Sequence, residues 1–95
     1  PNTRRAYEKD VSDFFIKMTS TTPNRDSVLE FLHLQREQAV HVVLKYKALL
    51  IKGGLREATI NRRLAAIKSL ASMGRKLGVC NYSLEDVSGE KVRAY

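Results

Sequence analysis

Along the first stretch of the chain the apolar residues Tyr7, Val11, Phe14, Phe15 and Met18 recur at i, i+4, i+7, i+8 and i+11. That spacing is one stripe of an amphipathic α-helix and predicts a helix over 3–18, with Asn2 or Thr3 able to cap its first turn. Thr19-Ser20-Thr21-Thr22-Pro23-Asn24 reads as a linker, and Asn24 with Asp26 marks the start of a short helix over 25–33 that carries Val28, Leu29, Phe31 and Leu32. Ala39, Val42, Val43, Tyr46, Leu49 and Leu50 repeat at threes and fours, predicting a helix over 36–52 that Gly53-Gly54 ends. Ile60, Leu64, Ile67, Ala71 and Gly74 fall within roughly 80° of arc at about 100° per residue, so a long helix is expected over 57–77, stopped by Gly78. Beyond it, Tyr82, Leu84 and Val87 suit a single turn of helix, and Ser88-Gly89-Glu90-Lys91 reads as a flexible exit. No stretch alternates at period two, and the pattern predicts an all-α bundle of four main helices.

Size limits what such a bundle can do. With 95 residues and 10.8 kDa, a chain buries only about 60 to 65% of its unfolded surface, enough for one modest core and no second lobe. The single cysteine, Cys80, allows no internal disulfide, and Cys80, His33 and His41 stand at no spacing typical of zinc, so no metal site is expected. Gly53-Gly54 lacks the Lys-Ser/Thr of a phosphate-binding loop, and no cofactor is expected either. The longest apolar runs, Val42-Val43-Leu44 and Leu49-Leu50-Ile51, are far short of the roughly 18 residues a membrane span needs. The opening Pro1-Asn2-Thr3-Arg4-Arg5 has no signal-peptide character and no initiator Met, which suggests a piece of a longer chain.

Charge changes the picture more than size does. The net charge is +7, and it is regional. Lys45, Lys47, Lys52, Arg56, Arg62, Arg63, Lys68, Arg75 and Lys76 face a single acid, Glu57, so the stretch 45–76 carries +8 and the rest of the chain −1. A smaller basic group, Arg4, Arg5 and Lys9, opens the chain, interrupted by Glu8 and Asp10. Such clustering points to a face aimed at a polyanion.

The wheel of the long helix says where that face lies. With Ile60 at the centre of the buried stripe, Ala65 lies about 140° round, Ser69 about 180°, Arg62 about 200° and Ala66 about 240°. These small residues allow close approach, and Arg62 is expected to project from their middle. Thr59 and Arg63 form one shoulder, Asn61 and Lys68 the other. A polar helix face with basic margins suits a DNA major groove, where an arginine can bond a guanine edge bidentately while its flanks hold phosphates. A solvated bundle face is the plain alternative.

The residues Gly54-Leu55-Arg56-Glu57-Ala58-Thr59-Ile60-Asn61-Arg62-Arg63-Leu64-Ala65-Ala66-Ile67-Lys68-Ser69-Leu70 resemble the G-L-x-x-x-T-I-N-R-R-L-x-A-I-K-S-L stretch of the N-terminal core-binding domain of tyrosine recombinases, the phage-integrase and Xer-type family. Asn2-Thr3-Arg4-Arg5-Ala6-Tyr7-Glu8-Lys9-Asp10-Val11-Ser12-Asp13-Phe14 is similar to the same family's opening N-T-x-x-A-Y-x-x-D-L-x-x-F. The resemblance implies a SAM-like orthogonal bundle forming one jaw of a clamp on double-stranded DNA. By position it nominates Thr3, Arg4, Arg5 and Lys9 in the first helix, and Thr59, Arg62, Arg63, Ala66 and Ser69 in the fourth. The wheel reaches much of the second set independently and adds Asn61 and Lys68. Arg56 stands where a Ser cap is common in that family, leaving the long helix poorly capped.

The resemblance further implies partners: the parent's own C-terminal catalytic domain, and sister protomers in a recombination tetramer on DNA. On this reading residues 1–86 are the binding domain and 87–95, with Lys91 and Arg93, begin an interdomain linker. The parent would be cytoplasmic, bacterial or phage-encoded, and nucleoid-associated. None of the four tyrosines is expected to be catalytic: Tyr7 and Tyr46 fall on core stripes, Tyr82 and Tyr95 in the tail. Two other classes fit the pattern less well: a helix-turn-helix regulator reading DNA with the helix after Gly53-Gly54, and a helical protein-protein adaptor.

Overall fold

Each of the four apolar stripes becomes a helix, in the order α1 (Asn2–Thr19), α2 (Arg25–Leu32), α3 (Arg36–Lys52) and α4 (Glu57–Lys76). The computed structural model describes residues 2–84 and Val87, with side chains from Arg5 onward. Among these residues there is no strand, and the fold is an all-α bundle. Boundaries differ from the expected ones by one residue at the ends of α1, α2 and α4.

Local chemistry accounts for the helix ends. Asn24 Oδ1 accepts the Ser27 N–H at 2.8 Å and Ser27 Oγ accepts the Asn24 N–H at 3.0 Å, a reciprocal capping box that starts α2. α4 has no such help, because Arg56 makes no side-chain cap. α1 ends where Ser20 adopts a left-handed φ of 64° and returns its N–H to the Ile16 carbonyl. Gly54 (φ 77°) and Gly78 (φ 78°) make the same turn after α3 and α4, at no Cβ cost.

α4 packs chiefly on α1 and also on α3. Its whole predicted stripe, Ile60, Leu64, Ile67, Ala71 and Gly74, is buried. α3 presents a narrower stripe than its pattern implied: Ala39, Val43, Tyr46 and Leu50 are buried, while Leu49 is exposed. Leu49 lies roughly 60 to 120° round from those four, beyond the arc that α1 and α4 cover. Phe14 is the aromatic centre of the core. Its ring meets those of Phe15, Phe31 and Tyr46 edge to face at 5.0–5.1 Å, joining α1, α2 and α3.

The tail belongs to this core. Tyr82 to Leu84 is not helical, and the Val87 N–H closes one turn on the Leu84 carbonyl. Cys80, Tyr82, Leu84 and Val87 are all buried, so the core reaches Val87; residues 88–95, including Lys91, Arg93 and Tyr95, lie outside the described residues. The Tyr82 hydroxyl donates to the Phe31 carbonyl at 2.7 Å, and Arg75 Nη1 donates to the Tyr82 carbonyl at 3.0 Å, stitching the tail to α2 and α4.

Gly74 makes that seam possible. A Cβ there would stand 2.9 Å from the Cys80 Cβ and 3.1 and 3.2 Å from the two Leu32 methyls. Gly74→Ala is expected to cost about 1 to 3 kcal/mol by overpacking. At Gly53, by contrast, an added Cβ meets only backbone oxygens at 3.4 and 3.5 Å, so Gly53→Ala should change stability by no more than about 1 kcal/mol. Urea unfolding of the two variants checks the contrast; equal midpoints would show that α4 and the tail part without cost.

Candidate nucleic-acid interface

α1 carries two carboxylates one turn apart, Asp10 and Asp13, and α4 carries the adjacent arginines Arg62 and Arg63. The packing of α1 on α4 sets each acid against one arginine. Arg62 donates from Nε to Asp10 Oδ2 at 3.1 Å and from Nη2 to Asp10 Oδ1 at 3.3 Å. Arg63 donates from Nη1 to Asp13 Oδ2 at 2.8 Å. The same Asp13 oxygen accepts the Tyr46 hydroxyl of α3 at 2.6 Å, and Asp13 Oδ1 accepts Lys17 Nζ at 2.7 Å. One carboxylate thus ties three helices.

The two pairs differ in exposure. Asp10 is buried, its side chain 5% exposed, whereas that of Arg62 is 58% exposed. Arg63 is 20% exposed, and its Nε is buried without a partner, as is the Tyr7 hydroxyl. Burial pushes the Asp13 carboxyl up, but hydrogen bonds from Lys17 and Tyr46 and the charges of Arg63 and Lys17 outweigh it and hold the group below its ordinary value of 3.8. Burial first, then the bond to Asp13, pushes the Tyr46 phenol well above the usual tyrosine range.

Several nominated residues stand where the wheel puts them. Arg62, Ala65 and Ser69 are exposed along α4, with Thr59 and Arg63 half-buried on one shoulder and Asn61 and Lys68 half-buried on the other. Arg5 and Lys9 are exposed on α1, while the side chains of Thr3 and Arg4 lie outside the described residues. Two expectations need correction. Ala66 does not belong to the open face: although the wheel puts it well outside the buried stripe, it is 6% exposed, because its single methyl is short enough for the core around it to cover. Nor does Arg62 project freely; its guanidinium turns to α1, since a buried carboxylate without a cation opposite it is costly. The charge of the 45–76 stretch is therefore partly neutralised by acids of α1.

Asp10 and Asp13 are not among the residues that the sequence pattern nominates. A signal for Asp10 exists in the sequence: it lies about 40° from Phe14 on the α1 wheel, at the edge of the apolar stripe, where an acid must find a partner. Which cation answers it depends on how α4 docks. Among the described residues no group of His, Cys, Asp and Glu could hold a metal ion, and no helix is long and apolar enough to cross a membrane.

The class that emerges is a small helical domain with a polar, basic-edged helix face braced from its first helix. Sequence relatives give that class a family. All 95 residues align with a tyrosine recombinase of Synechocystis sp. at 50% identity and with one of Synechococcus elongatus at 48%. The chain spans 30% of the length of these curated relatives. It is thus kin over its whole length to tyrosine recombinases, and consistent with the N-terminal domain of one. No family model and no solved structure matches it.

Breaking either pair should show in stability. Arg62→Ala leaves the Asp10 carboxylate buried and unpaired and should cost about 1 to 3 kcal/mol; the double variant with Asp10→Ala should lose less than the sum of the two single changes. Chemical denaturation of the four proteins closes that cycle, and additive losses would mean that the pair contributes nothing. Asp13 predicts a pH dependence. Its folded-state value is depressed, so its contribution is complete above the unfolded carboxyl value and is lost as pH falls through the folded one. Thermal unfolding should therefore show a steep loss of stability below pH ~4, shallower in Asp13→Asn; superimposable pH profiles would refute it.

Proposed function

We propose that this chain is the DNA-binding arm of a tyrosine recombinase, its core-binding part, holding a recombination half-site through the major groove with α1 and α4. Strand breakage and rejoining fall to a catalytic domain elsewhere in the parent protein, and sister protomers share the DNA. The observation that carries the reading is the exposed run Arg62, Ala65 and Ser69 along α4, between half-buried Thr59, Asn61 and Lys68. Small residues let the α4 backbone approach a groove closely, and Arg62 supplies donors that a base edge accepts. Arg5 and Lys9 stand exposed on α1, the helix that Arg62 grips, and supply cations for phosphates. Whole-length kinship with tyrosine recombinases supports the same reading.

Phosphate contacts make binding salt-dependent, since each neutralised phosphate releases condensed counterions. Titration of a random-sequence duplex at several salt concentrations should give weak binding with a steep log–log slope. Arg5→Ala should weaken binding to every duplex alike and flatten the slope by about 1. No duplex binding at low salt would overturn the proposal.

A further inference from the structure

Arg62 and Asp10 meet in a geometry that does more than neutralise a charge. The Nε–H and the neighbouring Nη2–H form the side edge of the planar guanidinium, and both go to Asp10. Of five donors, that leaves both hydrogens of Nη1 and the outer one of Nη2; the outer hydrogens of Nη1 and Nη2 form the end edge, and the second Nη1 hydrogen points back toward Cδ. Asp10 lies beneath, 5% exposed, while the arginine is 58% exposed. The buried partner therefore takes the side edge and leaves donors available at the end edge.

We infer that Asp10 is a positioning residue for DNA recognition: its buried carboxylate holds Arg62 by the side edge so that the end edge stands as a fixed two-donor fork for guanine O6 and N7. The inference rests on the DNA-binding reading above. A free arginine loses rotamer freedom when it docks, and one already held at Nε and Nη2 has lost much of it beforehand. Pairing also decides what the fork suits. The carboxylate cancels the arginine's charge, which removes most of its attraction for phosphate but leaves its hydrogen-bond geometry for a neutral base edge. Arg62 then contributes to choice of sequence, and exposed cations such as Arg5 and Lys9 to general affinity.

Asp10→Asn tests this, because the amide keeps one acceptor and removes the charge. The probes are a duplex pool with randomised base pairs and one fixed random-sequence duplex, each offered to the 95-residue chain and to the variant. The wild-type chain should select guanine at one position, and Asp10→Asn should lose about tenfold of that preference, the scale of one bidentate base contact. The variant should at the same time bind the fixed duplex more tightly, with a log–log salt slope steeper by about 1, since a cation has been released. A merely structural role would weaken both kinds of binding together, and that result overturns the inference, as does an unchanged guanine preference. If the wild-type chain binds no duplex, the DNA-binding reading itself fails, an outcome distinct from wild-type binding with an indifferent Asp10→Asn. A measurement on the wild-type chain covers the case in which Asp10→Asn does not fold. On addition of duplex the Arg62 Nε–H nuclear magnetic resonance signal should stay in place while the Nη signals move; a displaced Nε–H signal would mean that Arg62 leaves Asp10 to bind, and would refute the brace.

Discussion

The bundle depends on how two carboxylates of one helix are answered by two arginines of another. Apolar burial drives α1 onto α4, but it is non-directional, and a stripe of Phe, Ile and Leu tolerates sliding. The acids do not tolerate it. A slip of one residue would turn Asp10 away from Arg62 and deprive Asp13 of Arg63, Tyr46 or both, leaving buried polar groups unpaired. Because Tyr46 comes from α3, the Asp13 carboxylate also fixes where the third helix stands. The hydrophobic core supplies the drive, and this polar seam supplies the register.

The seam divides the basic residues into three kinds. Arg63 is mostly buried and held by Asp13, so its place is within the fold. Arg62 is held at its base and exposed at its tip, and links the inside of the domain to its surface. Arg5, Lys9, Lys45, Lys52, Arg56 and Lys76 are exposed, and the formal charge seen by a distant polyanion comes mainly from them. Net charge alone does not distinguish these kinds, which separate only when each cation is assigned its neighbour.

Periodicity made the helices legible, because each has a stripe, a stop or both: the Asn24 cap, the Gly53-Gly54 turn and the Gly78 turn all appear at the expected places. The stripe of α4 was legible to the residue. The tail was not: Tyr82, Leu84 and Val87 are buried, and the contacts of Tyr82 with Phe31 of α2 and Arg75 of α4 are ones that no local period encodes. The polar face of α4 was visible on a wheel, but a wheel treats the helix as a lone cylinder. Ala66 failed that picture because core atoms reach round the cylinder, and Arg62 because a long side chain bends toward a charge on another helix. Position along a helix could be read from the sequence; pairing across helices required the fold.

Close approach at Gly74 has a consequence for the lone thiol. Cys80 is buried beside Gly74, and its Sγ–H donates to the Tyr82 carbonyl at 3.5 Å. An alkylating reagent reaches such a sulfur only when the tail lifts from α4. The rate of thiol modification is therefore a clock for the opening of one seam, separate from global unfolding and readable at a native residue. Events at the far end of α4, including those that load its Arg62 face, become observable at Cys80 to the extent that they tighten or loosen this seam.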